Sequence, residues 1–269
     1  MIQFPHCKIN LGLQVLSKRT DGYHDIETCF YPVSRTDILE VIPSNELSFT
    51  RSGIDVPGED HDNLCLKAYH LIRKDFGIGS VKIHLHKIIP IGAGLGGGSS
   101  DAAFTLRLLN EIFDLKISNG QMKNYALEVG SDCPFFIDNQ PMMGTGRGEI
   151  LNPVSLHLKG LHLILIKPDI HISTAEAYGG IIPQQREHSI LNTLSLPIRE
   201  WKDKLKNNFE DSIFNKHPSI GHIKEKLYSL GATYASMSGS GASVFGIFEK
   251  QIDLKNHFEG MDYWSGELK

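Results

Sequence analysis

The sequence predicts an α+β fold, and three observations carry the prediction. Residues 3–50 read as strands joined by turns. A strand, a glycine-rich loop and a helix follow one another between Val81 and Phe113. Beyond residue 160, apolar strands flank a long and mainly helical stretch, without the regular βα succession of an open parallel sheet.

Taken in order, Ile9–Leu16 is mostly apolar with Asn10 and Gln14 interleaved, and Lys18-Arg19-Thr20-Asp21-Gly22 is a turn signal. His24–Val33 and Ile38–Ile42 are further strands. Glu59–Asn63 leads into a helix from Leu64 to Phe76, with Cys65, Ala68, Tyr69, Ile72 and Phe76 along one face. Val81, Ile83 and Leu85 alternate with polar residues, as in a half-buried strand. Ala103, Leu106, Asn110 and Phe113 then recur at helical spacing. Ser118 is placed to cap a helix reaching Glu128, and residues 130–151 read as loop and strand. Asn152-Pro153 and Lys159-Gly160 punctuate the chain, so two domains are expected, at 1–156 and 157–269. Leu161–Ile166 is a dense apolar strand. Residues 173–230 are mainly helical, with breaks at Gly179-Gly180, Pro183 and Pro197. Tyr234–Met237 and Ser243–Phe248 are strands around a second small-residue loop.

The bulk numbers exclude several classes. A chain of 269 residues makes one large domain or two medium ones. A net charge of −4 provides no basic footprint for nucleic acid. No apolar run is long enough to span a bilayer, and residues 1–20, with Lys8, Asn10 and Lys18, hold no secretory apolar core. Cys7, Cys29, Cys65 and Cys133 are far apart and form no Cys-x-x-Cys pair, which argues against a zinc or thioredoxin-type motif. Free thiols in a reducing cytoplasm are expected.

The segment from Pro90 to Ala103 carries the most chemistry. Glycines let backbone approach an anion, because no side chain intervenes. The first N–H groups of a helix lack partners within it, and with the helix dipole they form a phosphate site. A flexible linker would lie between polar low-complexity segments; this run lies between a strand and an apolar helix. Gly92 to Gly97 also fits Gly-x-Gly-x-x-Gly, but it follows a β-rich segment rather than opening repeated βα units. No Gly-Lys-Ser/Thr follows, so it is not a Walker A loop.

Four other elements admit two readings each. Met237–Ser243 is a tight hairpin or a ligand loop, the latter favoured by the presence of the first loop. Lys8 and Asn10 share one face of a strand, either to hold an anionic or polyhydroxyl ligand or simply as polar surface. Tyr23 can stack on a planar ring that His24 hydrogen-bonds, or both belong to an ordinary hairpin turn. Asp132, between small residues and Pro134-Phe135-Phe136, can accept a proton from a hydroxyl, or is a turn-capping aspartate.

Together and in this order, from Lys8 to about Phe248, these elements resemble the GHMP kinase superfamily. Pro90 to Ser100 matches its Pro-x-x-x-Gly-Leu-Gly-x-x-Ser-Ser signature. Lys8-Ile9-Asn10-Leu11, Asp21-Gly22-Tyr23-His24 and Gly130-Ser131-Asp132-Cys133-Pro134-Phe135-Phe136 narrow the resemblance to members whose acceptor carries a cytidine diphosphate group. Ile172-Ser173-Thr174-Ala175 looks like the Ser-Thr segment that follows the second-domain strand.

The resemblance implies a ribosomal-protein-S5-like N-terminal domain, a ferredoxin-like C-terminal domain, and an acceptor in the cleft between them. ATP binds with Mg²⁺. Its phosphates are expected on Pro90, Ile91, Gly92, Ala93, Gly94, Leu95, Gly96, Gly97, Gly98, Ser99 and Ser100, with Asn63 and Lys87 lining the nucleotide side. Asp132 is the implied proton acceptor and Lys8 the implied cation between it and the γ-phosphate. Tyr23 and Tyr178 are the implied stacking faces and His24 the hydrogen-bonding partner of the base. Asn10, Thr174, Ser238, Gly239, Ser240 and Gly241 complete the acceptor set. The residue that contacts Mg²⁺ stays open. A cytoplasmic kinase is expected, as a monomer or homodimer, with no nucleic-acid or membrane partner. Two alternatives stand beside it: a GHMP kinase of the homoserine or mevalonate type, and a non-catalytic nucleotide sensor. Tyr23 and His24 argue against the first, whose acceptors lack a nucleobase; Lys8 with Asp132 argues against the second. The tail Gln251–Lys269 carries no motif, and an abbreviated last element is expected there.

Overall fold

The computed structural model describes residues 1–183 and 189–269. The helical stretch expected over 173–230 includes 184–188, which lie outside the described residues. In chain order, β1 (Ile2–Gln3), β2 (His6–Lys18), β3 (His24–Thr36), β4 (Ile38–Pro43) and β5 (Ser48–Gly53) precede α1 (Leu64–Phe76) and β6 (Val81–Lys87). Helices α2 (Gly97–Ile112), α3 (Asn119–Val129) and α4 (Phe135–Asp138) come next, then β7 (Met142–Thr145), β8 (Ile150–Pro153) and β9 (His162–Lys167). The remainder is α5 (Thr174–Gly179), α6 (Ile190–Leu194), α7 (Phe209–Lys216), α8 (Pro218–Ser229), β10 (Tyr234–Met237), β11 (Val244–Phe248) and β12 (Asp262–Glu267).

The chain forms two compact units that interleave in sequence. The first is Met1–Cys7, Arg35–Ile91 and Gly96–Asn139; the second is Lys8–Ser34, Gly92–Leu95 and Gln140–Lys269. The glycine loop thus passes from the first unit into the second for four residues and returns.

In the first unit a four-stranded sheet runs in the order β1-β4-β6-β5, with β5 parallel to β6 and the other pairs antiparallel. Leu39 pairs with Leu85 and Val41 with Ile83, which places one apolar row on one face, since strand side chains alternate. These residues are buried with Cys65, Ala68, Tyr69 and Ile72 of α1 and Ala103, Leu106 and Leu109 of α2. Helix α1 starts where the sequence places it: the Asn63 side chain accepts a hydrogen bond from the Cys65 N–H, and Gly77 ends the helix in the left-handed conformation. Ser118 and Gln121 form a reciprocal capping box on α3. Strand β5, Ser-Phe-Thr-Arg-Ser-Gly, is polar and largely exposed, so it carries no alternating apolar signal.

The second unit holds two four-stranded sheets, β2-β3-β7-β8 and β10-β11-β9-β12. In the second sheet all neighbours are antiparallel. Renumbered from β9, the order is 2-3-1-4, the ferredoxin-like arrangement expected of the C-terminal half. Helices α7 and α8 make the first crossover and bury Phe209, Ile213, Ile220, Ile223 and Leu227 in a core shared with Ile164, Ile166, Val244 and Phe248. The second crossover has only a 3-10 turn, Lys255–His257, before β12. The abbreviation expected in the tail therefore falls on the connecting helix. The edge strand itself forms, with Tyr263 and Ser265 opposite Ile166 and Ile164. No helix among the described residues is long and apolar enough to cross a membrane.

Candidate active site

The glycine loop begins where β6 ends and terminates in the first turn of α2. Gly92, Gly94 and Gly96 have φ of 64°, 76° and 69°, while Ala93 and Leu95 between them are not in the positive region. Left-handed residues alternating with right-handed ones are the backbone pattern of anion-binding concavities. Gly96 is the N-cap of α2, a helix of sixteen residues, so the loop leads directly into a helix N-terminus. Ser100 Oγ, buried at that first turn, and Asp101 Oδ1 beside it have no hydrogen-bond partner among the described residues.

Within the first unit, Lys87 joins the strand before the loop to the helix after it. Its ammonium lies 2.7 Å from Asp101 of α2 and in still closer contact with Asp37 at the head of β4. Asp37 Oδ1 also accepts from the N–H groups of Ile88 and Ile89 at 2.5 and 2.8 Å. All three side chains are buried. Burial disfavours the charge on Lys87, but the carboxylates of Asp101 and Asp37 outweigh it and raise its pKa. Burial lifts Asp101 to about 7 despite the facing ammonium. The resemblance implies Lys87 along the nucleotide; the structure commits its ammonium to two internal carboxylates, one before the loop in sequence and one after it. A Cβ on Gly97 would stand 2.9 Å from the Lys87 Nζ, so the triad lies directly under the first turn of α2.

Asn63 and Asp132 also belong to the first unit. Asn63 caps α1, and the next residue, Leu64, reaches toward Gly98 of α2. Asp132 is half-buried in the turn between α3 and α4. Its neighbour Cys133 is fully buried, and burial pushes the thiol up to about 12 even though the Ser99 hydroxyl hydrogen-bonds it. That bond sets the Asp132 turn beside the first turn of α2. A thiol so deprived of thiolate character is structural rather than reactive.

In the second unit, Lys8 and Asn10 share a face of β2, as the strand period requires. Lys8 Nζ donates to Asn10 Oδ1 at 2.6 Å and to the Gly94 carbonyl at 2.8 Å. The Phe30 ring lies 5.4 Å from the same nitrogen. Asn10 Nδ2 donates to the Thr28 hydroxyl, which donates to the Gly12 carbonyl. Both ends of the Asn10 amide, expected against a ligand, are therefore engaged within the protein, and one of them aims Lys8. The second small-residue loop joins the same cluster. Ser238 Oγ donates to the Gly94 carbonyl at 3.0 Å and accepts from the Asn10 N–H. A Cβ on Gly94 would come within 1.9 Å of the Ser238 carbonyl oxygen, and one on Gly241 within 2.1 Å of the Gly94 nitrogen. Two backbones meet here at a distance that only glycine permits. Asn207, in a stretch read as helix but in fact a loop, holds Met237 and Gly239 through their carbonyls.

Ser240 follows Gly239 in this loop, half-buried. Thr174 is the exposed first residue of α5, next to its cap Ser173. Tyr178 on that helix is stacked by His24, with ring centroids 4.7 Å apart and planes at 24°, while Phe209 meets it edge-on. The Tyr178 face expected to receive a base is thus covered by His24. Tyr23 is 55% exposed. Among the described residues no cluster of three or more His, Cys, Asp or Glu is arranged to hold a metal ion.

Loop, helix and ferredoxin-like sheet define a class, and comparison with known proteins agrees with it. Residues 63–143 match the GHMP kinases N terminal domain and residues 194–261 the GHMP kinases C terminal model. A protein of Cytophaga hutchinsonii named 4-diphosphocytidyl-2-C-methyl-D-erythritol kinase is 53% identical over 92% of both chains. One of the same name from Bacteroides thetaiotaomicron is 52% identical over 94% of both. A crystal structure of 4-(cytidine 5'-diphospho)-2C-methyl-D-erythritol kinase superposes with a TM-score of 0.81 at 31% identity, covering 93% of this chain and 91% of that one. The chain belongs to the GHMP kinase family and, within it, to the group of 4-diphosphocytidyl-2-C-methyl-D-erythritol kinases.

Proposed function

We propose that this protein transfers the γ-phosphoryl group of ATP to the 2-hydroxyl of 4-diphosphocytidyl-2-C-methyl-D-erythritol, giving the 2-phosphate and ADP, a step of non-mevalonate isoprenoid precursor synthesis. The observation that carries the reading is the pinning of Lys8 to the glycine loop through Gly94, beside relatives of this name at about half identity over nearly the whole chain. Phosphoryl transfer needs positioned groups and charge neutralisation more than covalent help from the protein. The N–H groups of Gly92–Ser99 supply donors to the phosphates, the Ser100 N–H being bonded to the Gly96 carbonyl, and Lys8 supplies a fixed cation. Asp132 accepts the proton as the hydroxyl oxygen attacks phosphorus and ADP departs. Asn63 lines the nucleotide, while Lys87 holds the two ends of the loop together. Tyr23 stacks on cytosine and His24 hydrogen-bonds its edge. Tyr178 becomes a second stacking face when His24 turns toward the base. Thr174 and the Ser238–Gly241 loop bound the polyol and phosphates, with Asn10 acting through Lys8.

The family implies Mg²⁺. Ser100 Oγ, a buried oxygen at the phosphate end of α2 without a partner among the described residues, is a hard donor of the right kind. Mg²⁺ typically takes one or two protein oxygens and completes its shell with phosphates and water. When bound it would offset charge on the transferring phosphates. The domain assignment follows the same reading, with ATP-binding segments in 1–156 and acceptor segments completed by 157–269. The soluble species is proposed to be a cytoplasmic monomer or homodimer acting on a small molecule and not on nucleic acid.

Purified protein with ATP and Mg²⁺ should release ADP when this acceptor is added and stay at background with homoserine or mevalonate. Background rates with all three, from well-folded protein, refute the proposal; turnover of homoserine or mevalonate alone reassigns it within the family.

A further inference from the structure

One face of Tyr23 is already occupied. The guanidinium carbon of Arg147 lies 4.9 Å from the centroid of its ring. A guanidinium at this distance is held by the ring's negative face and by stacking of two planar groups. With this cover in place Tyr23 still has 55% of its surface exposed, so much of the residue stays accessible beside the Arg147 contact.

Arg147 is itself fixed. It stands in the turn between β7 and β8, flanked by Gly146 and Gly148 with φ of 68° and 104°. Its backbone N–H donates to the Glu149 carboxylate at 2.5 Å, and its guanidinium lies 3.5 Å from the other oxygen of the same group. The Gly146 carbonyl accepts from the Ile26 N–H at 2.7 Å, tying this turn to β3 just beyond His24. The Tyr23 backbone is held independently. Its carbonyl accepts from the Arg19 N–H at 2.8 Å and its N–H donates to Asp21 at 3.1 Å. Arg19 in turn pairs with Asp21 and Asp25. An exposed tyrosine on a turn would otherwise spend much of its time in other rotamers, and binding would have to order it.

We infer that Arg147, oriented by Glu149, is a positioning residue for acceptor recognition: it closes one face of Tyr23 and fixes the ring so that the opposite face meets a cytosine. The inference rests on the acceptor reading above. Arg147 acts through Tyr23, so its loss should weaken binding of the base without slowing the chemical step.

The test is a double-mutant cycle on the full-length protein, with cytidine and cytidine diphosphate as titrated ligands and steady-state kinetics alongside. Wild type should bind both ligands. Arg147→Met should weaken cytidine and cytidine diphosphate equally, by about threefold to fivefold. It should raise the acceptor KM by a similar factor and leave kcat and the ATP KM unchanged. Arg147→Lys should recover part of the loss, and Glu149→Gln should show a smaller loss of the same kind. In a Tyr23→Ala background the Arg147→Met effect should vanish. Unchanged cytidine binding in Arg147→Met, or an equal loss with Tyr23 absent, overturns the inference while leaving the acceptor reading intact. A loss confined to cytidine diphosphate overturns it in favour of a direct charge contact. Wild-type protein that binds neither ligand and turns over no acceptor overturns both.

Discussion

Lys8 and Asn10 stand two residues apart, and the period of a strand suffices to bring them together. What the strand cannot specify is the third partner, the carbonyl of Gly94, which is 86 residues away in sequence. Holding the ammonium against the loop at 2.8 Å would spare it a search for its rotamer in the proposed reaction. Lys8→Met and Asp132→Asn should each lower kcat by on the order of a hundredfold or more while thermal midpoints move little, which steady-state assays and melting curves will read. Variants that keep wild-type turnover would remove these residues from the mechanism. Gly94→Ala tests the backbone contact. A methyl group there would collide with the Ser238 carbonyl and would force a left-handed φ on alanine. Chemical denaturation should show a loss of roughly 1–3 kcal/mol or more, together with weakened ATP binding. Lys8, Tyr23 and Asp132 could be nominated from the sequence because each sits in a short pattern of its own. Asp37, Asn207 and Arg147 were not, because what gives each its role is a partner supplied by folding. Only the glycines flanking Arg147 hinted at a built turn.

At the scale of elements, the buried triad of Lys87, Asp37 and Asp101 joins the end of β6, the start of β4 and the first turns of α2. Removing the cation would strand two carboxylates in the interior, one of them fully buried. Lys87→Met should cost about 3–5 kcal/mol in urea denaturation. A cost well under 1 kcal/mol would show that the triad does not hold the loop's two ends. His6 provides a second element-level test. Its ring packs edge-on against Phe104 of α2 and Phe136 of α4, and it is 6% exposed. Burial, aided by the charge of Arg107, lowers its pKa from 6.5 to about 4. Between those values the unfolded chain takes up a proton that the folded chain refuses. Stability fully present above pH 6.5 is therefore lost as pH falls toward 4, by on the order of 3 kcal/mol. Urea midpoints measured from pH 7 to 4.5 should fall steeply for wild type and less steeply for His6→Phe; parallel profiles would contradict this account. The elements themselves divide by how locally they are specified. Helices α1 and α3 announce their caps, and the hairpin of β10 and β11 announces its loop. Strand β5 and edge strand β12 lack an apolar alternation and exist because a neighbour offers hydrogen bonds. The stretch 201–208 looked helical but runs beside β2, where Leu13 exchanges backbone bonds with Lys206 and Asn208.

For the whole molecule, the fold class was legible because strand, glycine loop, helix and late strands occur in a recognisable order. The interleaving of the two units was not, since it depends on β2 and β3 lying with the second half of the chain. That arrangement places Lys8, the Gly92–Leu95 stretch and the Ser238–Gly241 loop in one unit, with Asp132 and the start of α2 in the other. The glycine loop therefore has segments in both units. The central claim is the identity of that acceptor, and one competition experiment tests it most directly. The protein is given ATP, Mg²⁺ and an equimolar mixture of 4-diphosphocytidyl-2-C-methyl-D-erythritol, homoserine and mevalonate, and the products are read by mass spectrometry and phosphorus NMR. The account predicts that only the cytidine diphosphate compound gains a phosphoryl group, at its 2-hydroxyl. Phosphorylation of either other acceptor in preference to it, or of its cytidine moiety, would contradict the account.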